Sequence, residues 1–118
     1  DMTENVIKCY LDMPEKERPT VIVSFAEACM KLINELGQWN INCPDDISFI
    51  SYGADSYNEH FRPQLTALDF DSECFGAKAA EILIDHLKGN RRMDDMRMLN
   101  ISPELKIIEG RTLKDINR

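Results

Sequence analysis

The sequence predicts an α/β fold, a parallel-sheet three-layer sandwich with helices on both faces of the sheet. Two runs, 20–25 and 47–52, are nearly continuous in β-branched, aromatic and other apolar residues, as strands of buried parallel sheets are. A stretch with helical periodicity separates them, so a right-handed crossover between parallel strands is the simplest connection. With 118 residues, 43% of them hydrophobic, the chain suffices for one modest domain.

The first part of the chain predicts a helix followed by a strand. Thr3 is a suitable N-cap, and apolar residues recur after it at helical spacing until Pro14 and the charged run 15–19 end the helix. The run 20–25 then predicts a strand that is covered on both faces.

A second helix is predicted for 26–39. Its buried stripe comprises Cys29, Leu32, Ile33 and Leu36. Lys31 and Glu35, one turn apart, are expected to pair on the outer face. Asn40 is expected to end the helix in a left-handed conformation, before the second strand at 47–52.

The second half of the chain continues the alternation of helix and strand. Asp71 or Ser72 is expected to cap a third helix, 73–88, which Gly89 ends. The polar tail from Gly110 is expected to be frayed. The remaining predictions are one short helical turn within 53–63, an extended segment at 64–70 and two late strands at 97–101 and 104–109.

Charge and cysteine content limit the function classes. The net charge is −7, which disfavours contact with a phosphate backbone, and Arg91-Arg92 is followed at once by two aspartates. The four cysteines, at 9, 29, 43 and 74, form no CxxC pair and predict buried or nearly buried free thiols in a reducing cytosol. No apolar run reaches transmembrane length, so no membrane partner is expected. No cofactor is predicted.

The carboxyl ends of the predicted strands mark a candidate ligand site, because open parallel sheets bind ligands there. Carboxylates at these ends can accept hydrogen bonds from sugar hydroxyls, and aromatic rings can stack on a sugar ring. The alternatives are helix capping for the carboxylates and core packing for the rings. The candidate ligand-binding residues are Phe25, Glu27, Tyr52, Asp55, Asp71 and Phe75.

An enzyme is the rival class. A thiol hydrolase would need a cysteine, a histidine and an acid brought together, for example Cys29, His60 and Asp55. No nucleophile elbow or other catalytic string accompanies them, and a metal site at His60 is equally unsupported. The sequence therefore predicts no catalytic and no metal-binding residue.

Five strings resemble, in order, those of the LacI/GalR family of bacterial transcription regulators. RPTVIV at 18–23 is similar to the family's "RPTAI" strand, and PDDISFI at 44–50, after ELG at 35–37, is similar to "ELG…VPEDVSVVG". RPQLT at 62–66 resembles "PPLTT", FGAKAAEIL at 75–83 resembles "LGRRAAELL", and the segment 102–112 sits where the family has "PxELVVRGST". The similarity covers nearly the whole chain.

The resemblance implies part of a two-lobed, periplasmic-binding-protein-like class I effector domain. About 1–66 and 102–112 would belong to the C-terminal lobe, and about 67–101 would cross into the N-terminal lobe. The DNA-binding domain would be absent, since Asp1 is not a natural start and the chain reads as an excised piece. The GntR-type sensing module and the periplasmic sugar-binding protein are the alternatives within the same fold.

By the same resemblance, the partners would be a small-molecule effector, a second copy of the chain in a homodimer, and operator DNA through a missing N-terminal helix-turn-helix. The candidate dimer residues are Met30, Trp39, Tyr57 and Phe61. The family's ligand-contacting Asn-Asp pair is replaced here by Phe25-Ala26-Glu27, and Asp55 is displaced from its expected place after the second strand. The implied effector is a sugar, or a phosphorylated or nitrogenous metabolite.

Overall fold

The computed structural model describes residues 1–53, 56–90 and 104–117, apart from the side chains of Ser56 and Tyr57. Helices and strands alternate in the predicted order, and the predicted strand 97–101 lies outside the described residues. The elements are α1 (Met2–Asp12), β1 (Val21–Phe25), α2 (Ala26–Gln38), β2 (Ser48–Tyr52), β3 (Thr66–Asp69), α3 (Ser72–Leu87) and β4 (Lys106–Ile108). Short 3-10 helices occupy Glu15–Glu17 and Ser56–Glu59.

The chain divides into two compact units. The first unit is Asp1–Leu68 together with Ile107–Arg118, and the second unit is Asp69–Lys106. The first unit therefore consists of two stretches that are far apart in sequence, whereas the second is continuous and contains α3.

The sheet has the strand order β1-β2-β3-β4. β1 pairs with β2 in parallel from Val21 opposite Ser48 to Phe25 opposite Tyr52, and β2 pairs with β3 in parallel as far as Tyr52 opposite Leu68. This confirms the predicted parallel α/β architecture. The carboxyl ends of β1 and β2 meet at the same edge of the sheet.

Helix α2 packs on one face of β1 and β2, and α1 packs against α2. The core that they form with β1, β2 and the start of β3 contains Ile7, Tyr10, Ala26, Cys29, Leu32, Ile33, Leu36, Ile47, Phe49 and Leu65. The apolar stripe of α2 predicted from the sequence is thus confirmed.

The opposite face of β1 is exposed, in contrast to the expectation that β1 is covered on both faces. Ile22 packs against the core, but Val21, Val23 and Phe25 are 42%, 55% and 68% exposed. Successive side chains of a strand point to opposite faces, so the residues that alternate with Ile22 point away from α1 and α2.

Two local predictions are corrected at the helices. Asp1, not Thr3, caps α1: its carboxylate accepts from the Thr3 N–H, and the Glu4 side chain accepts in return from the Asp1 nitrogen. On α2, Lys31 pairs with Glu27 at 3.0 Å and not with Glu35. A glutamate four residues before a lysine is the better-oriented helical pair, which accounts for the choice.

The predicted helix ends are largely confirmed. Asn40 has φ 59° after α2, and Gly89 has φ 77° after α3. Of the two alternatives for the third helix, Asp71 is the N-cap, with its Oδ1 accepting from the Cys74 N–H at 3.2 Å.

The prediction that all four cysteines are buried is wrong for two of them. All four are free thiols, but only Cys29 is buried and Cys43 is half-buried, while Cys9 and Cys74 are exposed. Cys9 lies on the part of α1 that faces away from the core, and Cys74 lies in the first turn of α3. Burial raises the pKa of the Cys43 thiol to about 11, and the neighbouring Cys29 and Asp45 add to the effect.

The segment Gly110–Lys114 is built into the first unit, so the prediction of a frayed tail from Gly110 is wrong there. Thr112 is fully buried: its Oγ1 donates to the Phe49 carbonyl at 2.7 Å and accepts from the Thr66 N–H at 2.9 Å. The Phe49 N–H in turn donates to the Thr112 carbonyl at 2.9 Å. This role could not be predicted from the polar sequence around Thr112, because threonine satisfies buried backbone groups without adding an apolar signal.

Candidate ligand-binding edge of the sheet

Two aromatic side chains stand together at the carboxyl edge of the sheet in the first unit. Phe25 and Tyr52 are the last residues of β1 and β2 and lie opposite each other in the register. Their ring centroids are 5.7 Å apart with an interplanar angle of 88°, an edge-to-face contact. Phe25 is 68% exposed and Tyr52 48% exposed, so the pair presents apolar surface to solvent at the edge where parallel sheets bind ligands.

The backbone at the end of β1 fixes the position of Phe25. Its φ of −66° and ψ of 153° are extended, and α2 begins at the next residue, Ala26, without an intervening loop. No side chain caps this helix end. The backbone that carries the Phe25 ring is therefore held directly between two regular elements.

Glu27 supplies the charged group of this edge. It lies in the first turn of α2, is 80% exposed, and contacts Lys31 Nζ through Oε1 at 3.0 Å. Lys31 was not among the predicted site residues, although the spacing of the two residues is the signal that could have found it. Glu27 is thus a negative group close in sequence to the aromatic residue Phe25, and Lys31 partly offsets its charge.

The turn after β2 is held by backbone and hydroxyl contacts. Gly53 adopts φ 88°, which favours glycine, and its N–H donates to the Leu68 carbonyl at 2.9 Å. Ser51 Oγ donates to the Gly53 carbonyl at 2.7 Å. These bonds fix the backbone on which Tyr52 stands. Asp55, the next candidate along the chain, lies outside the described residues.

The second unit carries two further candidates. Asp71 has φ 48°, accepts the Cys74 N–H at the start of α3, and donates its own N–H to Asp69 Oδ1 at 3.0 Å. Phe75 is 41% exposed in the first turn of that helix. Asp71 thus has the helix-capping role that the sequence offered as the alternative to ligand binding. A ligand role for Asp71 or Phe75 stays a prediction.

The candidate dimer residues differ in exposure. Trp39 follows the last residue of α2 and is 61% exposed, whereas Met30 and Phe61 pack partly buried against the core. The Tyr57 side chain is not among those that the structure describes. An open groove of about 350 Å³ lies between α1 and α2 and is lined in part by Glu35 and Trp39. Of the three residues of this set whose side chains the structure describes, Trp39 is therefore the most available to a partner.

Of the residues named for a thiol hydrolase, Cys29 is buried and Asp55 lies outside the described residues. Within the part of the chain that the structure describes, no group of three or more histidine, cysteine or acidic side chains could hold a metal ion. Cys29 Sγ contacts the carbonyls of Ser24 at 3.5 Å and Ile50 at 3.7 Å, and burial raises the pKa of its thiol, which disfavours the nucleophilic thiolate. Among the described helices, none is long and apolar enough to cross a membrane.

The fold and its exposed strand edge define a class: an α/β domain of the kind that binds small molecules at the carboxyl ends of parallel strands. The model of the periplasmic binding protein-like domain family matches residues 2–112. The chain belongs to this family, and its similarity to part of the effector-binding domain of LacI/GalR regulators confirms the resemblance seen in the sequence.

Individual relatives agree with this assignment. The HTH-type transcriptional repressor PurR of Photobacterium profundum is 34% identical over 103 residues, which is 86% of this chain and 30% of that repressor. The chain thus spans about a third of the length of such relatives. The curated relatives of this kind are transcriptional repressors.

Solved structures show the same fold at low identity. A LacI-type regulator of Bacillus cereus subsp. cytotoxis has a TM-score of 0.80 at 18% identity, covering 95% of this chain and 38% of that one. A LacI family regulator of Lactobacillus casei with bound sucrose has a TM-score of 0.72 at 18% identity, covering 93% and 39%. These likenesses extend the fold assignment to nearly the entire chain.

Proposed function

We propose that this chain is the effector-binding and dimerisation portion of a LacI/GalR-type transcription regulator that senses a sugar or related small metabolite in the cytoplasm. The observation that carries the proposal is the exposed Phe25–Tyr52 pair, with Glu27 beside it in sequence, at the carboxyl edge of a parallel sheet. Ligand sites of this kind combine apolar walls with a few polar groups that fix orientation.

The division of the chain supports a two-lobed arrangement. The boundaries near Leu68 and Lys106 fall close to the proposed crossings between a C-terminal lobe, 1–66 and 102–112, and an N-terminal lobe containing 67–101. In the proposed protein, an effector binds one arrangement of the lobes more tightly than the other and thereby shifts their populations. Operator DNA is contacted by an N-terminal helix-turn-helix outside these 118 residues.

The proposed dimer surface is α2 with Trp39, together with the segment 57–62. Trp39 is the best exposed of its described side chains, and Met30, Phe61 and Tyr57 complete the set. Light scattering of the 118-residue chain is expected to give a dimer, and Trp39→Ala is expected to weaken it. A stable, well-folded monomer of the unsubstituted chain would contradict the dimer.

Ligand titration tests the effector site. Chemical-shift changes are followed by NMR while sucrose, glucose and a panel of phosphorylated and nitrogenous metabolites are added singly. A saturable change centred on Phe25, Glu27 and Tyr52 is expected for at least one compound, and Phe25→Ala is expected to weaken it. If all saturable changes lie away from this edge, the site is refuted.

A gel shift separates sensing from DNA contact. With a net charge of −7, the 118-residue chain is expected to leave duplex DNA unretarded at physiological salt. Clear retardation would overturn the assignment of DNA binding to another part of the protein.

A further inference from the structure

The chemistry of the aromatic edge points to the class of effector. We propose that the paired rings of Phe25 and Tyr52, with Glu27 close to Phe25 in sequence, take a small organic cation, such as a quaternary ammonium or protonated amine. The inference rests on the proposed effector site and specifies its ligand.

The geometry of the two rings favours a cation. An aromatic ring attracts positive charge to its face. Two rings at a right angle form a corner that a cation can occupy. Phe25 and Tyr52 have this relation, at 88° and 5.7 Å, and both are largely solvent-accessible. Each exposed cation–π contact contributes roughly 0.5–1 kcal/mol, which corresponds to about a two- to fivefold gain in affinity.

The charges of the edge select against anions. Phosphate and carboxylate groups are recognised by arginine, lysine or several backbone N–H groups. The described strands β1 and β2 and the first turn of α2 contain no arginine or lysine, and Glu27 is their one charged side chain. Lys31, one turn further along α2, contacts Glu27 Oε1. The positively charged side chain that follows the site in sequence is therefore already paired with a carboxylate. Oε2 of Glu27 can accept a hydrogen bond from an ammonium group.

Three probes of nearly equal shape separate charge from apolar contact. Choline carries a trimethylammonium group, 3,3-dimethylbutan-1-ol is its neutral isostere, and 3,3-dimethylbutyrate is an anionic analogue. Each is titrated into the 118-residue chain while the ring signals of Phe25 and Tyr52 are followed by NMR. Choline is expected to bind at least about threefold more tightly than the neutral alcohol, and the butyrate is expected to bind most weakly.

Variants locate the effect. Phe25→Leu and Tyr52→Leu are each expected to weaken choline binding about two- to fivefold. Glu27→Gln is expected to reduce the preference for choline over the alcohol. Val21→Ala is the matched control, because it removes exposed apolar surface at the opposite end of β1 from Phe25 and should leave choline binding unchanged. An unchanged amide spectrum confirms the fold of each variant.

The outcomes distinguish this inference from the proposed function. Equal affinity for choline and the neutral alcohol, or no choline response at Phe25 and Tyr52, overturns the cation class. If a sugar then shifts the same ring signals, the effector site stands and only its chemistry was misassigned. If Val21→Ala abolishes the choline response, the site itself is in the wrong place.

Discussion

Replacing Thr112 by valine tests how the segment after β4 is held in the sheet. The Thr112 hydroxyl donates to the Phe49 carbonyl at 2.7 Å and accepts from the Thr66 N–H at 2.9 Å, and the residue has no exposed surface. Valine keeps the shape of threonine but offers neither a donor nor an acceptor. The substitution therefore removes one partner from each of two buried backbone groups while the packing volume stays nearly constant.

The magnitude follows from those two groups. A buried donor or acceptor left without its partner costs about 1–3 kcal/mol. Two such groups, with some relaxation of the backbone, give an expected loss of about 2–4 kcal/mol in the free energy of unfolding. This is a large part of the roughly 5–15 kcal/mol that stabilises a typical domain.

Thr112→Ser is the matched variant. It keeps the hydroxyl and removes only the methyl group, at an expected cost of about 1 kcal/mol. Urea unfolding, followed by circular dichroism, measures both. With a denaturant slope of about 2 kcal/mol per molar, Thr112→Val should lower the midpoint by about 1–2 M and Thr112→Ser by about 0.5 M. If serine costs as much as valine, packing and not hydrogen bonding fixes this segment, and the reasoning is refuted.

Three further results are expected. Gly110→Ala should destabilise the fold, because a Cβ would overlap the Gln64 carbonyl oxygen. Gly37→Ala should stabilise the fold by about 0.5–1 kcal/mol, because Gly37 lies within α2 and has open space around it. Thermal melts compare the two variants. Asn58→Ala should cost about 2–4 kcal/mol by chemical denaturation, because its buried amide donates to the Leu65 carbonyl at 3.0 Å and accepts the Leu65 N–H at 2.8 Å; wild-type stability would contradict this. The raised pKa of Cys43 means that the folded protein favours the protonated thiol. The stability that this preference contributes is complete below the ordinary thiol pKa and is lost as pH rises towards about 11. Cys43→Ser should therefore flatten the decline in melting temperature over that range.

The regular elements were predictable because their signals are local. The apolar run of β1, the 3.6-residue stripe of α2 and the left-handed residue Asn40 each follow from a few neighbouring residues. The ion pair on α2 was misassigned although it is equally local, because Lys31 has an acidic residue four positions away on either side. Only the preferred direction of such pairs decides between Glu27 and Glu35.

The contacts that join distant stretches could not be predicted from a single sequence. Thr112 bonds to Phe49 and Thr66, 63 and 46 residues away, and nothing in the polar run around it signals burial. The candidate ligand edge was predictable in part: the strand ends placed Phe25 and Tyr52 together, and the register then showed that they touch. The mutual geometry of their rings depends on side-chain rotamers, which a linear pattern does not contain.

The order in which the chain can fold follows from the way the first unit is assembled. Its two stretches are separated by the whole of the second unit, so the bonds made by Thr112 cannot form until a loop of some 46 residues has closed. For a flexible loop of that length the entropic cost is about 3 kcal/mol. Folding of the second unit shortens the flexible part of that loop and lowers this cost. We therefore expect the sheet to gain its last strand and the Thr112 bonds late, with a folding rate that depends on residues outside the sheet.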